Sequence, residues 1–115
     1  MSLKYCVIIP TYNNSGTVAD VVERTLKVCT DVIVVNDGST DNTATVLCGL
    51  DVTVLNHEHN QGKGKALKTG LRYAVGKGYT HAVTIDSDGQ HFPEDIRVLM
   101  EASLEHPENL IVGYD

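Results

Sequence analysis

The sequence contains few prolines, few aromatic residues and no long apolar run. Of its 115 residues, 3 are proline, none is tryptophan and 5% are aromatic. No low-complexity stretch or sustained heptad repeat occurs, which excludes collagen-like, coiled-coil and disordered proteins. The longest strongly apolar runs, 6–9 and 32–35, are far shorter than the ~20 residues that a membrane-spanning helix requires. With 42% apolar and 21% charged residues, the composition is that of one globular domain.

The sequence also lacks cysteine pairs with metal-binding or redox spacing. Cys6, Cys29 and Cys48 are odd in number, and no C-x-x-C pattern occurs, so neither a zinc site nor a redox pair is indicated. Residues 1–4 lead directly into a strand-like segment, without the apolar stretch of a signal peptide. We therefore expect free thiols in a reducing, cytoplasmic environment.

Basic residues are outnumbered by acidic ones, 9 against 15, for a formal charge of −6. This balance argues against a nucleic-acid partner, whose phosphate backbone requires the opposite sign. Five of the nine basic residues nevertheless fall within positions 63–77, and these are Lys63, Lys65, Lys68, Arg72 and Lys77. A local basic strip on an acidic protein suits a small anion better than a polymer.

Strand-like and helix-like segments alternate along the chain. Short apolar, β-branched runs predict strands at 5–10, 31–35, 52–55, 81–85 and 110–112. Helical spacing and capping residues predict helices at 18–28, 40–48, 63–75 and 93–104. This order predicts an α/β fold with an open, mostly parallel sheet and helices on both faces, similar to the Rossmann fold. We expect residues 1–115 to form one α/β domain that is truncated at its C-terminal end.

Polar, acidic and glycine residues follow four of the predicted strands, at 10–14, 36–41, 60–65 and 86–91. Ligands of open parallel sheets bind at the carboxyl ends of the strands, where the strand order reverses. The sequence therefore predicts a ligand site at this edge of the sheet.

The pair Asp86 and Asp88 is the most specific feature of that edge. Residues two apart in an extended strand end point to the same side, and two such carboxylates repel each other unless a cation lies between them. Mg²⁺ or Mn²⁺ would fit, sharing its coordination with phosphate oxygens. Gln90 follows two residues later. The alternative is a solvated acidic loop that turns at Gly89.

Other residues at this edge could contact a nucleotide. Asp37 follows the second strand, where a carboxylate can accept hydrogen bonds from a base or a ribose, although the segment 37–39 is also typical of a turn. Tyr12 could lie against a base and Thr11 could offer polar contacts, or both could belong to a surface loop. Lys63 lies in a glycine-containing segment that opens a helix, where it could meet a diphosphate. The Walker pattern is absent, so a P-loop is excluded.

Four segments together resemble the glycosyltransferases of family 2, in the same order and at similar spacing. These segments are 7–14 (VIIPTYNN), 34–43 (VVNDGSTDNT), 60–64 (NQGKG) and 85–91 (IDSDGQH). The last of them, with the proline-containing segment that follows it, is most similar to the polyprenyl-phosphate branch, the dolichyl-phosphate-mannose-synthase-like enzymes.

The resemblance implies a GT-A fold and an inverting transfer from a UDP- or GDP-linked sugar to a lipid phosphate or another glycan acceptor. It implies that the nucleotide sugar contacts Pro10, Thr11, Tyr12, Asp37, Lys63, Asp86 and Asp88. It further implies that Asp86, Asp88 and Gln90 hold Mg²⁺ or Mn²⁺.

The family's domain is longer than this chain. We therefore expect the catalytic base and the acceptor site to lie in a missing second half, and weak or no transfer by this piece. For a full-length form we expect a place at the cytoplasmic face of a membrane. The apolar face that the missing half would cover could also pair two copies of the chain into a homodimer.

Other functions stay open at this stage. A haloacid-dehalogenase-type phosphatase also carries D-x-D-G after a strand, and would make Asp86 a nucleophile. A sugar-nucleotidyltransferase shares the use of nucleotide and metal, but prefers a glycine-rich, arginine-containing loop after the first strand, which 11–16 lacks. A non-catalytic module that only binds a nucleotide is the third alternative.

Overall fold

The computed structural model describes residues 4–85, which form four strands and three helices in alternation. The predicted helix at 93–104 and the predicted strand at 110–112 lie outside these residues. The strands are β1 (Tyr5–Thr11), β2 (Val32–Asn36), β3 (Thr53–Asn56) and β4 (His81–Thr84), and the helices are α1 (Val18–Leu26), α2 (Thr43–Cys48) and α3 (Lys63–Gly76).

The four strands form one parallel sheet in the order β3-β2-β1-β4. The chain steps outward from β1 to β2 to β3, and α3 then brings it back to the other side of β1, where β4 pairs. The connection that follows β1 runs towards β2, whereas β4 pairs on the opposite side of β1. The gap between β1 and β4 is therefore a topological switch point.

β1, β2 and β4 bury residues on both of their faces, as continuous apolar runs predict, whereas β3 is only partly buried. On one face, alternate residues of β1 and β2, such as Val7 and Val34, pack with Val22 of α1 and Leu47 of α2. On the other face, the intervening residues, such as Ile8 and Val35, pack with α3. The predicted α/β fold with helices on both faces is confirmed.

Gly70 is the point where α3 approaches the sheet most closely. A Cβ atom at this position would lie 2.6 Å from Cγ2 of Ile8 and 3.3 Å from Cγ2 of Val35. The close helix–sheet contact expected from a glycine within a helical pattern is therefore present.

Two helices are shorter than their patterns predict. Helix α1 ends at Leu26 rather than at residue 28. Val28 lies in the following turn with 42% of its surface exposed, so its apolar side chain does not belong to the buried face of the helix, although the spacing predicts that it does. Helix α2 begins at Thr43 rather than at residue 40. The intervening residues 40–42 instead belong to a loop that is bonded to the end of β1, as described below.

In residues 4–85, none of the helices has the length and apolar character needed to cross a membrane.

Candidate functional site

The predicted nucleotide-binding residues of the described region lie at one edge of the sheet. Thr11 ends β1 and is buried, whereas Tyr12 follows it with 43% of its surface exposed. Asp37 directly follows β2, and Lys63 is the first residue of α3 and is exposed. Asp86, Asp88 and Gln90 lie outside the described residues, and Asp86 follows the last of them.

The Asp37 carboxylate joins the end of β2 to the start of α3. Its Oδ1 atom accepts a hydrogen bond from the backbone N–H of Gln61 at 2.9 Å, and its Oδ2 atom accepts one from the N–H of Gly62 at 2.9 Å. These amides precede α3 and have no partner within the helix. Asp37 therefore supplies the negative charge that a helix N-terminus favours, across 24 to 25 residues of sequence.

His57 is the third partner of this carboxylate. Its Nδ1 atom lies 2.7 Å from Oδ1 of Asp37, and its Nε2 atom lies 2.8 Å from the hydroxyl of Thr69 in α3. An ionised carboxylate can only accept hydrogen bonds, so Nδ1 carries the proton and donates. Both side chains of the pair are buried, with 8% and 4% of their surfaces exposed.

The hydrogen bonds outweigh the desolvation of Asp37. Burial alone would raise the pKa of this carboxyl group, but the donors of His57, Gln61 and Gly62 together hold the pKa below its usual value. Asp37 is therefore ionised at neutral pH although it is almost entirely buried.

Asn13 joins the loop after β1 to the loop after β2. Its Oδ1 atom accepts hydrogen bonds from the backbone N–H groups of Thr40 at 2.8 Å and Asp41 at 3.3 Å, while its own N–H donates to Oγ of Ser39 at 3.0 Å. Its φ angle is +53°, in the left-handed region that asparagine tolerates better than most residues. This side chain explains why residues 40–42 form a loop instead of the first turn of α2.

Asp41 reinforces the same junction. Its carboxylate accepts the N–H of Thr43 at 3.0 Å and the Thr43 hydroxyl at 2.5 Å, and it also accepts the N–H of Ser15 at 3.3 Å. The Thr43 hydroxyl bond is the main cause that lowers the pKa of Asp41. Asp41 thus supplies an acceptor for the backbone N–H of Thr43, the first residue of α2.

Gly38 allows the loop after β2 to lie directly against the segment that precedes α3. Its φ angle is +72°, and a Cβ atom there would lie 2.3 Å from the carbonyl carbon of His59 and 2.4 Å from the nitrogen of Asn60. Both atoms are backbone atoms and cannot rotate away. Only glycine fits this contact, which brings the end of β2 against the approach to α3.

Pro10 helps to end the pairing between β1 and β4. The N–H of Ile85 donates to the carbonyl of Ile8 at 3.1 Å, and within the described residues the register ends at Ile8 with Thr84. Backbone groups of alternate residues face the same neighbouring strand, so Pro10 faces the side of β4, where it has no N–H to extend the ladder. The side of β1 that faces β4 therefore lacks a hydrogen-bond donor at Pro10, next to the switch point.

Sequence reasoning found the location of the site but missed two of its residues. Asn13 was recognised only as part of a polar strand end, and His57 was not among the candidate residues. Both act through partners at least 12 residues away, which no local pattern identifies. The left-handed tolerance of asparagine at a strand end was the one signal for Asn13.

Among residues 4–85, no group of three or more histidine, cysteine or acidic side chains could hold a metal ion. The metal ligands predicted from sequence are two carboxylates and one amide, a set of hard oxygen donors that suits Mg²⁺ or Mn²⁺. A metal at this edge would therefore depend on Asp86, Asp88 and Gln90.

The chain matches the sequence profile of Glycosyl transferase family 2 over residues 6–114. The protein belongs to this family. The match supports the predicted glycosyltransferase, and none of the proteins described below is a phosphatase.

Two curated relatives carry names that mention prenyl carriers. The UDP-N-acetylglucosamine–dolichyl-phosphate N-acetylglucosaminyltransferase of Methanococcus voltae is 34% identical over 125 residues, which cover 93% of this chain and 50% of that protein. The polyprenol monophosphomannose synthase of Mycolicibacterium smegmatis is 35% identical over 104 residues, covering 84% of this chain and 39% of that protein. The predicted polyprenyl-phosphate branch is thereby confirmed. The chain spans at most half the length of these relatives.

A solved structure shares the fold of the family. Glucosyl-3-phosphoglycerate synthase from Mycobacterium tuberculosis, in complex with Mn²⁺, UDP and glucosyl-3-phosphoglycerate, superposes with a TM-score of 0.63 at 25% identity. The match covers 75% of this chain and 34% of that one. The predicted GT-A architecture is confirmed.

Proposed function

We propose that this chain is the donor-binding part of a metal-assisted, inverting glycosyltransferase that transfers a sugar from a nucleoside-diphosphate sugar to a polyprenyl phosphate. The observation that carries this proposal is the junction of the ends of β1 and β2 with the start of α3, next to the switch point. Asn13, Asp37 and Gly38 bring these three chain segments together. In parallel sheets such an edge is where nucleotides bind.

The described residues divide naturally between the two ends of a nucleoside diphosphate. Tyr12 is exposed at the end of β1 and offers its ring to a base. Asp37 offers its remaining acceptor position to a base or ribose donor. Lys63 lies at the start of α3, where the helix dipole and the side-chain charge both favour the diphosphate.

Asp86, Asp88 and Gln90 would hold Mg²⁺ or Mn²⁺ against the diphosphate. When bound, such an ion would supply positive charge that stabilises the departing diphosphate. The Mn²⁺ and UDP named in the complex of the mycobacterial synthase support this assignment. The names of the curated relatives support a prenyl-phosphate acceptor, which would place the full-length protein at the cytoplasmic face of a membrane.

Calorimetric titration tests the proposal. UDP titrated into the 115-residue chain with Mn²⁺ should bind, and the affinity should fall by about tenfold or more without the metal. Asp88→Asn should produce a similar loss in the presence of Mn²⁺, whereas Asp51→Asn should not, because Asp51 lies before β3 at the opposite edge. Failure of the chain to bind either UDP or GDP in the presence of Mn²⁺ would contradict the proposal.

A further inference from the structure

Asp37 has little acceptor capacity left for a ligand. A carboxylate offers about four lone-pair positions, and three of those of Asp37 are taken. Oδ1 accepts from both His57 and Gln61, whereas Oδ2 accepts from Gly62 alone. One position therefore remains, on Oδ2.

His57 is the side chain that closes the second position on Oδ1. Its ring is fixed from both sides, because Nδ1 donates to Asp37 and Nε2 lies 2.8 Å from the Thr69 hydroxyl. Thr69 belongs to α3, which packs against the sheet, so the ring cannot turn away without losing both contacts. With 4% of the Asp37 side chain exposed, a ligand meets this carboxylate through a narrow opening.

We propose that His57 acts through Asp37 as a positioning residue that makes the donor site select uracil over guanine. This inference rests on the proposed function and concerns the same site. Because His57 fills the second position on Oδ1, Asp37 offers a bound base a single acceptor position.

The two bases differ in the number of donors on their pairing edge. Uracil presents one donor, N3–H, between two carbonyl acceptors, and one acceptor position satisfies it. Guanine presents N1–H and the N2 amino group side by side, a pair that both oxygens of an open carboxylate could accept together. At Asp37 one of these guanine donors would lose its partner, and an unpaired donor in a buried site costs binding free energy.

The test compares UDP and GDP affinities, measured by calorimetry with Mn²⁺, across matched variants. The wild-type chain should prefer UDP by about tenfold, the value of one satisfied hydrogen bond. His57→Ala removes the donor together with the ring that covers Oδ1, so the second acceptor position opens to guanine and the preference should fall towards one. In His57→Asn the amide Nδ2 takes the place of Nδ1, and the preference should be retained.

Two further variants separate selection from simple loss of structure. Thr69→Val removes the hydroxyl that orients the ring and should reduce the UDP preference less than His57→Ala does. His59→Ala makes the same substitution two residues along, at an exposed position, and should leave the preference unchanged. A purely structural role of His57 would weaken both nucleotides equally and leave their ratio unaltered.

The outcomes distinguish this inference from the proposed function. A wild-type chain that binds neither nucleotide overturns both. A chain that binds UDP and GDP equally overturns the selection of uracil and leaves donor binding intact. A clear UDP preference that survives in His57→Ala shows that selection arises elsewhere and overturns the role of His57.

Discussion

At the scale of single residues, the ionisation of Asp37 links stability to pH. Its pKa in the folded protein lies below the ordinary value of about 3.9, so the folded state binds this proton more weakly than the unfolded state. The resulting stabilisation is present above the ordinary pKa and is lost as the pH falls through the folded pKa. We expect the free energy of unfolding, measured in urea, to decrease as the pH falls from about 5 to about 2.

Asp37→Asn should flatten that decrease, because the titrating group is gone. At pH 7 the same variant should be less stable by about 1–3 kcal/mol, since the new amide cannot accept from all three donors. Asp41 also has a lowered pKa, so Asp41→Asn serves as the control for a second titrating carboxylate. A pH dependence that is unchanged in Asp37→Asn would contradict the account.

Gly38 gives a second prediction at this scale. Gly38→Ala combines a positive φ with a Cβ placed 2.3 Å from backbone, so it should lower the free energy of unfolding by about 2 kcal/mol or more. Gly16→Ala is the matched control, because its Cβ would meet nothing within 4 Å, and it should be close to neutral. Equal effects of the two substitutions in urea denaturation would show that the Gly38 contact is not required.

At the scale of elements, α3 depends on one glycine for its distance from the sheet. Gly70→Ala gains at most about 1 kcal/mol of helix propensity but forces Ile8 or the helix to move, so a net loss of about 1–2 kcal/mol is expected. Gly76→Ala, in the same helix and with open space around its Cβ, should be neutral or stabilising. Gly70→Ala should therefore unfold at a lower temperature than the wild type and Gly76→Ala at an equal or higher one, and an upward shift of both would contradict the close packing.

Elements were the most predictable part of this chain. All seven described helices and strands were expected from hydrophobic patterning, because apolar runs bounded by polar and glycine residues distinguish buried strands from amphipathic helices. Their ends were less predictable. Helix α2 begins late because Asn13, nearly thirty residues earlier, bonds the backbone of Thr40 and Asp41, and such a contact leaves no trace in the local sequence.

At the scale of the whole molecule, patterning predicted a parallel sheet but not the order β3-β2-β1-β4. That order follows from the path of α3 across the sheet, which depends on contacts such as that of Gly70 with Ile8. Likewise the polar strand ends indicated where a ligand would bind. The contacts of His57 with Asp37 and Thr69 could not be predicted in the same way, because they join three segments that only the folded chain brings together. The metal ligands Asp86, Asp88 and Gln90 stay predictions from sequence.

The central claim is that the nucleotide diphosphate and its metal bind at the carboxyl edge of the sheet, and paramagnetic broadening of backbone amide NMR signals by Mn²⁺ tests it most directly. With UDP present, Mn²⁺ should broaden the signals of residues 11–13, 37–39 and 62–64, and Mg²⁺ should not. Broadening centred instead on Asp31 and Asp51, which precede β2 and β3 at the amino edge of the sheet, would contradict the account.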